Sequence, residues 1–510
     1  MKKNVLLLLL LLTSLSLFSQ NTTFKNPVIR GDMADPSLIR IDDTYYATAT
    51  SSEWAPHYPM FESKDLVNWT QIGHVFNKKP EWTSHSFWAP ELFYHNNKIY
   101  CYYTARRKSD NVSYIGVATA NSPYEEFTDH GLLVEYGTEA IDAFVYGENG
   151  QLYISWKAYG LDDRPIEIIA SKLSDDGLRL IGEPFTLLKD DEGIAMEGQY
   201  HFKHGDYYYI IYSPFGCCGP HSDYAVSVAR SKNIEGPYEK HEHNPILQGN
   251  HLDFVSCGHG TGVTTPDGRL FYLCHAYLTG EGFYGGRQPI LLEIGMSQDE
   301  WPFFITGRTA LIEQPMPFPN TSQKDFPGFN DSFDSKELKM EWTWNFPFAE
   351  VKTQTKKGKL LLSGTPKENN QYGSALCLRP QAPNYSYEVL LLNTPNNTKG
   401  LTLYGDNENL IIWGVTDNRL QLRMVKDNKE TIAYDTACNE TKVHLKIEVE
   451  KGCMLRFSVS NNGKKWTRIH DTPHNVEYLV RWDRVPRPGL IHIGENSHPA
   501  IYDDFILKNY

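Results

Sequence analysis

"MADPSLIRIDDTYYATATSS", residues 33–52, sets an acidic residue, Asp35, ahead of an apolar strand that breaks at Asp42-Asp43 and resumes as an aromatic strand. Pro36 fixes its own backbone and biases Asp35 toward extended geometry. One carboxylate so placed is an ordinary turn residue. The layout returns four more times, however: "APELFYHNNKIYCYY" from Ala89, "DAFVYGENGQLYISW" from Asp142, "EGQYHFKHGDYYYIIY" from Glu197 and "HGTGVTTPDGRLFYLCHAY" from His259. The starts lie 54, 53, 55 and 62 residues apart. In each copy a turn rich in Asp, Asn, Gly or Pro falls about seven residues on, as the tip of a hairpin requires.

The second half of each unit recurs too. Strands such as "YIGVATANSPYEEF" and "YAVSVARSKNIEGPYEK" alternate apolar residues and end in polar turns, and helical periodicity is nearly absent. Five units of about four strands predict a five-bladed β-propeller in preference to a stacked solenoid. The first strand of each blade then lines the central axis. Asp35, Ala89, Asp142, Glu197 and His259 would form a ring at one end of it. Any one of them alone reads as a strand-end cap, whereas three carboxylates at five equivalent positions read as a site. Crowded like charges raise pKa values, and unequal surroundings separate them into acid and base.

The repeat does not fill the chain, whose 510 residues are too many for one typical domain. After the connector "EQPMPFPNTSQKDFPGFNDSF" the period stops, and short runs such as "SYEVLLLN" and "VHLKIEVE" predict an antiparallel β-sandwich. The expected layout is a propeller over residues 26–313, a linker over 314–328 and a sandwich over 329–510. The opening "MKKNVLLLLLLLTSLSLFSQ" has the order of a secretory signal peptide over residues 1–20, with cleavage around Phe18 to Gln20 and no cysteine nearby for lipidation. Its apolar run is short for a membrane span. An exported chain, periplasmic or extracellular and without membrane insertion, is the expectation.

Composition narrows the partner. A net charge of −13 disfavours nucleic acid. Aromatics at 13% suit twisted sheets and flat platforms for sugar rings. Eight cysteines in so long a chain are not a disulfide scaffold, although Cys217 and Cys218 are adjacent and a local bridge between them is open. No Gly-rich phosphate loop, HExxH, CxxC pair or G-x-S-x-G elbow stands in the sequence, so no organic cofactor, catalytic zinc or serine nucleophile has a motif. Two carboxylates, one protonated and one ionised, are what glycosidic bond cleavage requires. A third can hold the acid in place.

Residues from about 26 to 313 resemble glycoside hydrolase family 43. The resemblance rests on "ADPSLIR", "FWAPELF", "IDAFVYGENGQLY", "MEGQYHFKHGDYYYIIYS", "CCGPHSDYAVSVARSKNIEGPYE" and "GRQPILLEIGMSQDEWP". It implies an all-β, five-bladed propeller of inverting enzymes acting on xylose- and arabinose-containing glycans. By that resemblance Asp35 is the general base, Glu197 the general acid and Asp142 the residue that tunes and orients the acid. The repeat had singled out the same three positions.

The resemblance also implies a calcium or other ion in the central channel, approached by His259, although a lone His near an axis is commonly a hydrogen-bonded core residue. It implies a substrate contact at Arg287. Trp54, Trp88 and Phe144 are candidates to stack on sugar faces or, equally, to pack between blades. The second domain resembles the concanavalin-like (jelly-roll) sandwich behind the propeller in β-xylosidases of the family. The function implied is an exo-acting β-xylosidase on an oligo- or polysaccharide. α-L-arabinofuranosidase and arabinanase are the alternatives within the family, and a non-catalytic sugar-binding propeller is the alternative outside it.

Overall fold

The computed structural model describes residues 22–159, 165–326, 328–481 and 484–510. The signal-peptide reading of residues 1–20 lies outside them. Among the described residues the only helical segments are two short 3-10 turns, Gly282–Gly285 and Glu477–Leu479, and no helix is long and apolar enough to cross a membrane.

Five four-stranded antiparallel sheets follow one another along the chain. Their inner strands are Ser37–Ile41, Trp88–His95, Ala140–Glu148, Glu197–His204 and Phe254–Thr264. Each packs beside the next, and the fifth returns to the first, so the sheets close into a ring of five blades. Closure is fastened by Thr23–Lys25, which pairs antiparallel with Glu313–Pro315, and by Asn26, whose side chain bonds both backbone groups of Leu291 in the last blade. Large residues fill the gaps between blades, among them Trp156, Tyr102, Tyr209 and Tyr272, all fully buried. Aromatic side chains suit this work because twisted sheets packed face to face leave wide gaps between strands.

The second domain holds a nine-stranded and a six-stranded antiparallel sheet over one apolar core that includes Trp342, Trp413, Tyr387 and Phe505. It does not hang free. Trp344 and Asn345 pair as a short strand with Ala55 and Trp54 of the first blade. Phe346 packs edge-on against His57 and Phe87, and Arg484 reaches Glu53 at 2.9 Å.

This contact corrects one expectation. Trp54 is 5% exposed and lies in the seam between the domains, with the Arg487 guanidinium 4.0 Å over its ring and Tyr404 edge-on. It presents no face to a sugar. Phe144 is displaced as well. It is buried between the third and fourth blades against Tyr200 and His201. Its nearest opening is a cavity of about 580 Å³ lined also by Arg40, Asp42 and Thr264, at the hairpin-tip end of the channel. The carboxylates stand at the other end.

Candidate active site

Each blade carries one backbone irregularity in or just before its inner strand. Asp35, Ala89, Asp142 and His259 all have positive φ, at 52°, 37°, 59° and 45°. The extended geometry expected of Asp35 ahead of a proline is overridden. In the fourth blade the residue with this conformation is Gly198, φ 62°, rather than Glu197. The hairpin tips agree, since positive φ recurs seven residues later at Asp42, Asn96, Asn149 and Gly205. Cross-strand register agrees too: Glu197 faces Ser213 as Trp88 faces Thr104 and Ile141 faces Lys157. Glu197 therefore enters the site from one residue before the ring position. The five-membered ring read from the repeat is off by one in this blade, because an axial glycine leaves no side chain to notice.

Asp35, Asp142, Glu197, His259 and Arg287 come together at this end. His259 Nδ1 lies 3.4 Å from Asp35 Oδ1 and 3.9 Å from Asp142 Oδ2. Arg287 Nη1 stands 3.6 Å from Asp35 Oδ1, and its backbone is held by Asp32 and Met33 on the approach to Asp35. Thr50 donates its hydroxyl to Asp35 Oδ2 at 2.7 Å, and His275 Nδ1 is 3.3 Å from Oδ1. Burial pushes the Asp35 carboxyl up, but Arg287 foremost, with His259, outweighs it and holds the group well below the usual carboxylate range. Burial in turn pushes His275 down to about 4, so this imidazole is neutral near pH 7.

The other two carboxylates are treated unequally. Asp142 is pushed up to about 7, chiefly by burial, with His259 pulling the other way and the Glu197 charge adding to the rise. Its Oδ2 accepts the Gly198 N–H at 3.3 Å. Burial also pushes Glu197 up, but Lys157 Nζ, 2.6 Å from Oε2, outweighs it and holds the carboxyl below its ordinary value. Tyr224 donates to Glu197 Oε1 at 3.0 Å. Glu197 is also the most open of the three, with 16% of its side chain exposed against 11% for Asp35 and 7% for Asp142. The arrangement offers a carboxylate held ionised on one side, and on the other a more accessible carboxyl paired with a proton-holding neighbour. One carboxylate held ionised beside a coupled pair of which Asp142 keeps the proton is a set suited to acid–base chemistry.

Trp88 stays near the site. It opens the second inner strand, one residue before Ala89, and is half-buried with Arg106 5.6 Å over its ring. Cys217 and Cys218 are joined to each other in the loop after Ser213, which Gly219 ties to the Tyr277 hydroxyl and Ser222 to Ser256. The other six cysteines are buried thiols.

The calcium expectation finds no cluster of acidic, histidine or cysteine side chains among the described residues. Calcium takes six to eight oxygens. Around His259, whose Nδ1 is turned to Asp142 and to the Asp35 carboxylate already faced by Arg287, no group of three or more His, Cys, Asp or Glu among the described residues converges as metal ligands. No chemistry is assigned to an ion at this place.

Sequence reasoning missed Lys157, Tyr224 and His275. All three reach the site from strands or loops behind the inner strand. A signal was present: fifteen residues after Asp35, Ala89, Asp142 and Gly198 stand Thr50, Thr104, Lys157 and Ser213, and sixteen after His259 stands His275.

Comparison with known proteins completes the picture. Residues 24–302 match Glycosyl hydrolases family 43, and residues 330–480 match the beta xylosidase C-terminal Concanavalin A-like domain. A xylan 1,3-beta-xylosidase of a Vibrio species is 27% identical over 491 residues, covering 88% of this chain and 90% of that protein. A non-reducing end alpha-L-arabinofuranosidase of Bacteroides ovatus is also 27% identical, over 86% of this chain and 85% of its own. The crystal structure of a xylan beta-1,4-xylosidase from Bacillus halodurans superposes with a TM-score of 0.84 at 22% identity, over 95% of this chain and all of that one. With the family match spanning the propeller and the concanavalin-like domain behind it, the chain belongs to glycoside hydrolase family 43.

Proposed function

We propose that the protein is an exported, exo-acting, inverting glycosidase that releases xylose from the non-reducing ends of plant-derived oligosaccharides. The observation that carries the mechanism is the meeting, at one end of the channel, of Asp35 held ionised under Arg287 with the coupled pair of Glu197 and the proton-holding Asp142. Asp35, ionised under Arg287, takes a proton from water as the water oxygen attacks the anomeric carbon. Glu197, the more exposed member of the coupled pair, delivers to the glycosidic oxygen the proton that it shares with Asp142 as the bond breaks, and Lys157 and Tyr224 receive the carboxylate so formed. Asp142, which holds a proton up to about pH 7 and bonds the Gly198 N–H, positions the acid. Single displacement places the two carboxyl groups ~6.5–9.5 Å apart, with a water between them.

Xylose is favoured because similarity to β-xylosidases runs through both domains. Release of α-L-arabinofuranose is the second reading, supported by the equally similar Bacteroides ovatus protein. The test is hydrolysis of p-nitrophenyl β-D-xylopyranoside and p-nitrophenyl α-L-arabinofuranoside by the purified protein and by Asp35→Ala. Xyloside turnover that disappears in the variant supports the reading. Preference for the arabinoside keeps the mechanism and changes the substrate, and inactivity on both glycosides and on longer oligomers defeats it.

A further inference from the structure

Four of the five junctions between blades use one device. A side chain on the second strand, or just past its end, accepts the backbone N–H of the ring residue in the following blade. Thr50 Oγ1 accepts from Ala89 at 2.8 Å, Thr104 Oγ1 from Asp142 at 3.2 Å, Ser213 Oγ from His259 at 2.8 Å and His275 Nδ1 from Asp35 at 3.0 Å. The corresponding place between the third and fourth blades belongs to Lys157, whose ammonium has donors and no acceptor. Its Nζ turns to Glu197 Oε2 at 2.6 Å, and the Gly198 N–H goes instead to Asp142 Oδ2 at 3.3 Å.

We propose that Lys157 is a positioning residue for the acid step: by replacing an acceptor with a donor at one junction of the repeat, it fixes Glu197 through Oε2 and makes the Asp142 carboxyl the necessary partner of the Gly198 N–H. The inference rests on the reading of Glu197 as the acid. When the glycosidic C–O bond breaks, its electron pair stays on the leaving oxygen, which takes the Glu197 proton. The carboxylate left behind finds Lys157 at one oxygen and the Tyr224 hydroxyl at the other. The charged and titratable groups facing Glu197 are Lys157 and Asp142 from the third blade, Tyr224 from the fourth and His259 from the fifth. Lys157 faces Asp142 and Glu139 besides, and lies 5.1 Å over the exposed ring of Tyr159.

Three variants separate this role from simple packing. Lys157→Thr restores the acceptor used at other junctions, Lys157→Met supplies neither function, and Lys157→Arg keeps the charge. In the Thr and Met variants the alkaline limb of the kcat/KM profile is expected to rise by about one pH unit or more. Their kcat on an unactivated disaccharide should fall about tenfold further than on the p-nitrophenyl glycoside, which needs less help from an acid. Lys157→Arg should keep the wild-type limb. A wild-type limb in both Thr and Met, with equal losses on both substrates, overturns the proposal. A carbon-13 titration of carboxyl-labelled glutamate, assigned with Glu197→Gln, tests the same point without turnover. The Glu197 midpoint must rise in Lys157→Met, and an unchanged midpoint overturns the proposal. Failure of the glycosidase reading would show separately, as inactive wild-type protein.

Discussion

The imidazole of His259 lies across Gly198 so closely that a Cβ there would sit 2.6 Å from His259 Cγ. Gly198 also has φ 62°, a region that L side chains enter at about 1–2 kcal/mol. Gly198→Ala is therefore expected to strain the backbone and push His259 away from Asp35 and Asp142. Denaturant unfolding should show a loss of at least ~1 kcal/mol, and kcat/KM should fall with it. A variant as stable and as active as wild type would mean that His259 does not need this seat.

Asp142 makes a prediction of opposite sign for stability and activity. Its carboxyl is raised to about 7 in the fold from the ordinary value near 3.8. The folded state therefore binds the proton more tightly than the unfolded chain, and stability declines as pH rises from about 4 through 7. Asn keeps an acceptor for the Gly198 N–H and carries no charge. Asp142→Asn should match wild type in stability near pH 4 and exceed it at pH 8, by an amount bounded above by ~4 kcal/mol, while losing activity. Urea unfolding at the two pH values decides it.

Arg287 governs the acidic side of the profile. It is chief among the charges that overcome burial and hold Asp35 low. A depressed carboxyl stabilises the fold above its unfolded pKa and loses that contribution as pH falls below it. Arg287→Met should move the acidic limb of kcat/KM upward, toward the ordinary carboxylate value, and should raise KM if the guanidinium also meets substrate. An unmoved limb would assign the holding of Asp35 to His259.

The two tryptophans should separate cleanly. Trp54→Ala removes a ring packed between Arg487 and Tyr404 in the domain seam, so its main effect is on stability, about 3–5 kcal/mol for a buried large-to-small change. Trp88→Ala, at the half-exposed start of the second inner strand, should act on KM. A KM effect confined to Trp54→Ala would reverse the assignment.

How much of this was legible follows from where each residue sits. The blades and the places of Asp35 and Asp142 could be read because a turn seven residues on marks each ring position. The acid pair's environment could not, because Lys157 approaches from across the strand pair and its meaning appears only against Thr50, Thr104, Ser213 and His275 at the other junctions. Trp54 was misplaced because the chain that covers it, around Asn345, lies nearly three hundred residues away. Phe144 was misplaced by alternation, since a residue two beyond Asp142 on an inner strand has already moved down the channel and between the blades.

The central claim is single displacement between Asp35 and Glu197, and the most direct test is the anomer first released. Proton NMR recorded during hydrolysis of a β-xyloside, before mutarotation, should show the α-anomer of xylose appearing first. First release of the β-anomer would contradict the account, since it would require a covalent intermediate on a carboxylate assigned here to water or to the leaving group.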